Sequence, residues 1–277
     1  MRKFFISADM EGCAAVSSRY ALVPDQFEWR AARQWMTQEV VTVAQAALAK
    51  GYDEVIITDG HGNAHNIDPD LLPENVWLVR SWPRPLLQMQ GVEDPNIEAC
   101  AFVGYHAGST SQDGVLAHTY HGGCYRAIKL NGEFCSEGYL NAALAGEFGK
   151  PVILVSGDQH TIQDAERYAP GAVMYVSKHA LGGRSQLSLP PKQVQRSLGE
   201  AAAIAFDRPL QRPFVVEGPF RVELEMVSSL SAEMLAYLPG VERKGPWSIQ
   251  ASFDCIAAVM RFISFAMLYS PTGAIAL

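Results

Sequence analysis

The chain lacks the motifs that most often announce a site. Its five cysteines, Cys13, Cys100, Cys124, Cys135 and Cys255, are scattered, odd in number and form no CxxC pair. That excludes a disulfide framework and a thiolate zinc site. There is no P-loop, no GxGxxG and no HExxH, so the common phosphate, dinucleotide and zincin signatures are missing. Basic residues number 22 against 29 acidic ones, for a net charge of −7. This argues against nucleic acid and against an anionic membrane surface as partners. No apolar run approaches the roughly 20 residues a membrane span needs. The opening Met1-Arg2-Lys3-Phe4-Phe5-Ile6 imitates a signal peptide until Asp9 and Glu11 interrupt it, and a cytoplasmic protein is expected. Repeats and low-complexity tracts are also missing. What remains, 277 residues at 48 % hydrophobic, is enough for one large domain or two modest ones.

Short buried runs that end in polar residues organise the first half. Phe4–Ile6 reads as a strand that runs into Asp9-Met10-Glu11-Gly12. A helix follows from about residue 27 to Lys50, then a strand, Glu54–Thr58, that ends in Asp59-Gly60-His61. Strand, helix and strand at this spacing form a βαβ unit, hence a parallel sheet with a right-handed crossover. Trp77–Arg80 and Cys100–Tyr105 read as further strands, the latter delivering His106. Residues 127–135 read as a hairpin turned at Asn131-Gly132. Ser136 caps a helix that opens with Glu137. Strands at 151–156 and 172–176 and a helix at 190–206 complete the pattern. After Arg208 the chain changes character: an alternating stretch at 214–226, a short helix at 232–238, an extended segment at 247–253 and an apolar helix at 256–268. The expected fold is α/β: a parallel-sheet, Rossmann-like catalytic domain over 1–207 and a smaller α+β part over 208–277.

The polar residues that end strands or open helices are Asp9, Glu11, His61, His106 and Glu137, with His118 in reserve. Asp9 and Glu11 are two apart, so in an extended chain they point the same way, roughly 6–7 Å apart. Like charges there need something positive between them. A metal pair, roughly 3.5–4 Å apart in two-metal hydrolases, fits that gap. Three carboxylates and two imidazoles suit zinc, with manganese as a harder alternative. Two divalent ions carry +4 against −3, and a bridging hydroxide brings the sum to zero, as a half-buried site prefers. His65, His121, His160 and His179 are read as non-ligands. Asp59 is the candidate to orient a ligand imidazole. Lys178 and Arg184 are the candidates to hold a substrate carboxylate.

Ser7-Ala8-Asp9-Met10-Glu11-Gly12, Asp59-Gly60-His61, Gly104-Tyr105-His106, His118 and the stretch from Gly132 to Asn141 occur together in this order. In this the chain resembles the zinc-dependent D-aminopeptidase family of the DppA type, over nearly its whole length. The resemblance implies two zinc ions per chain with Asp9 bridging them. It puts Glu11 and His106 on one ion, and His61 and Glu137 on the other. It implies His118 as the catalytic residue, described in the family as the nucleophile; a general acid/base role suits the chemistry better. It also implies a ring-shaped homodecamer acting on short peptides with an N-terminal D-residue. Gln159 departs from the family pattern, where a second acid commonly follows the Gly-Asp pair. Two alternatives stay open on the residues alone: a non-catalytic peptide- or metal-binding protein of a transport system, and a same-fold hydrolase of another small amide.

Overall fold

The computed structural model describes residues 1–268. The strands are β1 (Lys3–Ala8), β2 (Glu54–Asp59), β3 (Val76–Val79), β4 (Ile97–Tyr105), β5 (Tyr125–Leu130), β6 (Glu133–Phe134), β7 (Val152–Asp158), β8 (Val173–Gly182), β9 (Ser185–Ser188), β10 (Phe220–Met226), β11 (Val241–Arg243) and β12 (Ser248–Phe253). The helices are α1 (Arg19–Leu22), α2 (Trp29–Ala49), α3 (Glu137–Glu147), α4 (Gln159–Ala165), α5 (Pro191–Asp207), α6 (Ser229–Leu235) and α7 (Ile256–Leu268).

Seven strands form one sheet in the order β3-β2-β1-β4-β7-β8-β9. All neighbours are parallel except the β8–β9 hairpin. The chain steps outward from β1 to β3 and returns on the other side of β1 as β4. The strand order therefore reverses between β1 and β4, which is where open α/β sheets take their ligands. Side chains alternate across a strand, and β1 serves both faces. Phe4, Ile6 and Ala8 pack with Met36 and Val40 of α2 and with Leu198 and Ala202 of α5. Phe5 belongs to the opposite layer, with Leu140 of α3, Val222 and Leu224 of β10, and Met260 of α7.

The second sheet is antiparallel, in the order β11-β12-β10-β5-β6. The expected Asn131-Gly132 turn joins β5 to β6, both residues at positive φ (53° and 91°), as a type I′ loop requires. Strand β10 pairs with β12 on one side and β5 on the other. The sheet thus takes strands from both sides of residue 208. The last part of the expected 208–277 region, residues 269–277, lies outside the described residues.

Two elements differ from the sequence reading. The strand expected at 172–176 runs on to Gly182 and turns back as β9. The alternating stretch from 214 becomes a strand only at Phe220, after Gly218-Pro219; proline has no N–H to give a ladder. Among the described residues, no helix is long and apolar enough to cross a membrane.

Candidate active site

Asp9 and Glu11 leave the end of β1, and His106 leaves the end of β4. The two exits lie unusually close. Gly12 N donates to Gly104 O (2.8 Å), and a Cβ on Gly12 would stand 1.9 Å from Tyr105 O. Gly104 has φ +72°, and a Cβ there would stand 2.2 Å from Asp9 O. Only glycine lets the strand ends interlock in this way. Lys178, buried to 2 % exposure, ties the outgoing loop by donating to Glu11 O, Cys13 O and Val16 O. Its ammonium is consumed there, so it does not hold a substrate carboxylate.

His61 sits at the end of β2 on a loop ordered by Asp59. That carboxylate accepts from Asn66 N (2.6 Å), Ile67 N (2.9 Å) and Asn66 Nδ2 (3.0 Å), while Asn66 Nδ2 also donates to His61 O (2.7 Å). Asp59 therefore positions the loop and touches no imidazole, contrary to the sequence expectation. Glu137 is the first residue of α3, whose cap Ser136 accepts from Tyr139 N (3.1 Å).

These five side chains meet, all between 2 % and 7 % exposed. His61 Nδ1 lies 2.8 Å from Glu11 Oε2 and 3.6 Å from Asp9 Oδ1. His106 Nε2 lies 3.3 Å from Asp9 Oδ2 and 3.2 Å from Glu137 Oε1. The two oxygens of Asp9 thus face two different imidazoles. Asp9, Glu11 and His61 have donor atoms within 4.8 Å of one another, and so do His106, His118 and Glu137. Glu11 groups with His61 and Glu137 with His106, the reverse of the pairing the family resemblance implied. The reason is topological: β1 lies between β2 and β4, so Glu11 and His61 meet on the β2 side.

Each imidazole spends one N–H on a backbone carbonyl. His61 Nε2 donates to Leu22 O (2.9 Å), His106 Nδ1 to Ala107 O (3.0 Å) and His118 Nδ1 to Leu116 O (2.9 Å). The other ring nitrogen is thereby fixed as a lone pair or a second N–H facing the site, the arrangement that orients metal-ligating histidines. His106 Nε2 tests which. It is buried without a hydrogen-bond partner. Asp9 and Glu137 stand at ion-pair distance, but neither oxygen lies along its hydrogen-bonding direction, so the contact is one of charge. A neutral ring there would bury a lone pair beside two carboxylates. Only a proton or a cation relieves that.

Without a metal, protons do so. Burial alone would lower His61 and His106, but Glu11 and Asp9 raise the first well above its ordinary value, and Glu137 and Asp9 raise the second. Burial pushes Asp9 and Glu11 upward, yet the imidazoles outweigh it and both end lowered. The cluster is thus an array of opposite charges in which a divalent ion can replace the protons. Oxygen and nitrogen donors without sulfur suit zinc, so the donor set fits the expected metal.

His118 stacks on His106, ring centroids 4.0 Å apart and the ring planes nearly parallel at 11°. Burial, then the charge on His106, lowers its pKa, which favours the basic form. Leu116 (φ 58°) and Tyr120 (φ 55°) flank it in left-handed conformations that bulky residues seldom adopt. Leu116 N donates to Gly183 O (2.9 Å) and His118 N to Ala107 O (3.2 Å), which anchor the main chain of this turn. Tyr120 N donates to Glu137 Oε2 (2.7 Å), linking this turn to α3.

Sequence reasoning missed the supports beneath the site. Gln88 Nε2 donates to Glu137 Oε1 (3.1 Å). Tyr105 OH donates to Ser7 Oγ (2.7 Å) and accepts from Asn141 Nδ2 (2.9 Å), and Asn141 Oδ1 accepts from Tyr120 OH (2.9 Å). Asn141 carried a usable signal, since it lies four residues after Glu137 and hence on the same helix face. Gln159, in place of the second acid, makes a two-way pairing with Ala180, donating to its O (3.0 Å) and accepting from its N (2.7 Å). His65, His121, His160 and His179 lie in neither donor cluster.

Two cavities open from the site. One of ≈320 Å³ includes Asp9, Gln88, Trp82 and Glu137 in its walls, the other of ≈690 Å³ includes Arg19, Leu22 and His61, and both reach His118, Tyr120 and His121. A separate recess of ≈550 Å³ between Phe134 and Arg167 touches none of the five clustered side chains or His118.

A buried carboxylate–imidazole cluster at a sheet switch point, with a free basic nitrogen beside it and a cavity in front, has the form of a metal-dependent hydrolase centre. The family model described as D-aminopeptidase matches residues 1–265, and the chain belongs to that family. It is 26 % identical over 243 residues to the D-aminopeptidase of Bacillus subtilis (strain 168), across 87 % of this chain and 88 % of that one. It is also similar in structure to the Zn-dependent D-aminopeptidase DppA from Bacillus subtilis, described as a self-compartmentalizing protease. The TM-score is 0.89 at 25 % identity, covering 97 % of this chain and 99 % of that one.

Proposed function

We propose that the chain is a two-zinc aminopeptidase that removes the N-terminal D-residue from short peptides. The observation that carries this is His106 Nε2, buried without a partner between two carboxylates, with the basic His118 stacked against its ring. Asp9 would serve both ions, Glu11 and His61 one, and His106 and Glu137 the other. Bound there, zinc would supply Lewis acidity, polarising the scissile carbonyl and lowering the pKa of water from 15.7 to about 7. The rest belongs to this chain's residues. The carboxylate cluster attracts the substrate's amino terminus. His118, its Nδ1–H anchored on Leu116 O, offers Nε2 to take a proton from the attacking water. The water oxygen bonds to the carbonyl carbon, the C–N bond breaks, and His118 returns the proton to the leaving amine.

The self-compartmentalizing relative supports a ring-shaped decamer here, and the five free cysteines fit a reducing, cytoplasmic setting. Light scattering reads the first directly; a monomer mass would remove the ring. The activity is tested by offering D-Ala-D-Ala and L-Ala-L-Ala side by side, before and after chelation with zinc add-back. Zinc-restored cleavage of the D-form alone is expected. Cleavage of neither, with zinc bound, would overturn the reading.

A further inference from the structure

We propose that Arg19 binds the C-terminal carboxylate of the substrate, so that the enzyme selects short peptides with a free acid end over the same peptides blocked as amides. This rests on the peptidase reading above and names the substrate class more narrowly.

The one-turn helix α1 is fastened to the metal centre. The last carbonyls of a helix have no partner within it, and here Leu22 O accepts from His61 Nε2 (2.9 Å). Arg19 lies three residues earlier. Residues three apart share one side of a helical turn, and Arg19 and Leu22 both line the ≈690 Å³ cavity that His61 and His118 also line. Three helical residues span about 4.5 Å, and one extended peptide residue about 3.5 Å. Arg19 therefore stands one helical turn from the carbonyl that holds His61, on the wall of the cavity that His61 and His118 also line.

Charge supports the same reading. A peptide acid must enter a site built on three buried carboxylates, in a chain of net charge −7. Among the described residues, Arg19 is the only arginine or lysine on the walls of either cavity that opens from the site. It is exposed, and among the described residues it has no hydrogen-bond or ion-pair partner. A guanidinium is always charged and presents a fork matched to a carboxylate. The two cations expected from the sequence do not compete. Lys178 is buried on three carbonyls, and Arg184 is on neither cavity wall.

The test compares kcat/KM for D-Ala-D-Ala and for D-Ala-D-Ala amide, with the zinc-loaded wild type, Arg19→Gln and Arg19→Lys, each checked for melting temperature and mass in solution. The wild type should prefer the acid. Arg19→Gln should lower kcat/KM for the acid about 10- to 100-fold, as loss of a charged hydrogen-bonded pair implies. The loss should fall on KM, with the acid-over-amide ratio collapsing toward one, and Arg19→Lys should restore part of it. Equal use of acid and amide by the wild type would overturn the inference and leave the peptidase reading standing. An equal loss on both substrates with Arg19→Gln, or a changed mass, would overturn it in favour of a structural or inter-subunit role. Cleavage of neither substrate by the wild type would overturn the peptidase reading itself, and this inference with it.

Discussion

Asp9 and His118 both contact His106 and should fail differently. Asp9 faces His61 with one oxygen and His106 with the other, at 3.6 and 3.3 Å. Asp9→Ala should therefore empty both metal positions and reduce activity to background, with metal content by elemental analysis falling alongside rate. His118 spends Nδ1 on Leu116 O and contributes a base. His118→Ala should keep its zinc and lose about 10²- to 10⁴-fold in kcat. A His118→Ala protein without metal would make it a ligand instead. The five clustered residues were legible because each follows a buried strand or opens a helix. Their division into pairs was not, because it depends on strand order, which local pattern does not encode. Gln88 was illegible for a related reason: it reaches Glu137 from 49 positions away.

At the scale of elements, short continuous apolar runs and the βαβ rhythm located most of the first sheet, and Asn131-Gly132 located the β5–β6 hairpin. The β8–β9 hairpin escaped because its leucines, Leu181 and Leu187, are exposed at 67 % and 63 %, so no inward-facing stripe marks it. Helix α2 hides another feature, an acid in its buried face. Glu39 accepts from Ala14 N (2.8 Å), and its other oxygen has no partner. Burial raises its pKa from 4.5 to about 7, only partly offset by the Ala14 N–H and Lys178. Because the folded value is the higher one, the folded chain retains a proton that the unfolded chain has released. Stability is full below 4.5, falls as pH rises and bottoms out above about 7. At 1.36 kcal/mol per pH unit the difference is about 3 kcal/mol. Glu39→Gln should remove that slope, leaving the variant more stable than the wild type at pH 8 and similar near pH 4.5. Urea unfolding across this range, with chelator throughout, measures it. Parallel profiles for the two proteins would exclude Glu39 as the titrating group.

For the molecule as a whole, metal and fold are linked. Three carboxylates in one buried cluster repel one another, and a dication bound only by the folded chain stabilises it. At one hundred times the dissociation constant the gain is about 2.7 kcal/mol. For a chain of this size each kcal/mol moves the melting temperature by about 2–4 °C. Zinc added to the chelated protein should raise the melting temperature by several degrees, and Asp9→Ala should not respond. The α/β class was readable because parallel sheets need crossovers that leave a periodic trace. The mixed origin of the second sheet was not, since β5 and β10 are neighbours in space and nearly a hundred residues apart in sequence.

That pairing has a consequence for biosynthesis. All five clustered side chains have been synthesised by residue 137, yet the layer behind Glu137 is built from β10, β12 and α7, which end the described chain. Strand β10 bridges β5 to β12, and Tyr125 OH closes the layer by donating to Ile263 O (2.7 Å). A ribosome that has delivered every ligand has still not delivered the wall that holds Glu137 in place. Assembly of the centre therefore waits for elements made more than eighty residues after Glu137, and the nascent chain carries its full donor set before that wall exists.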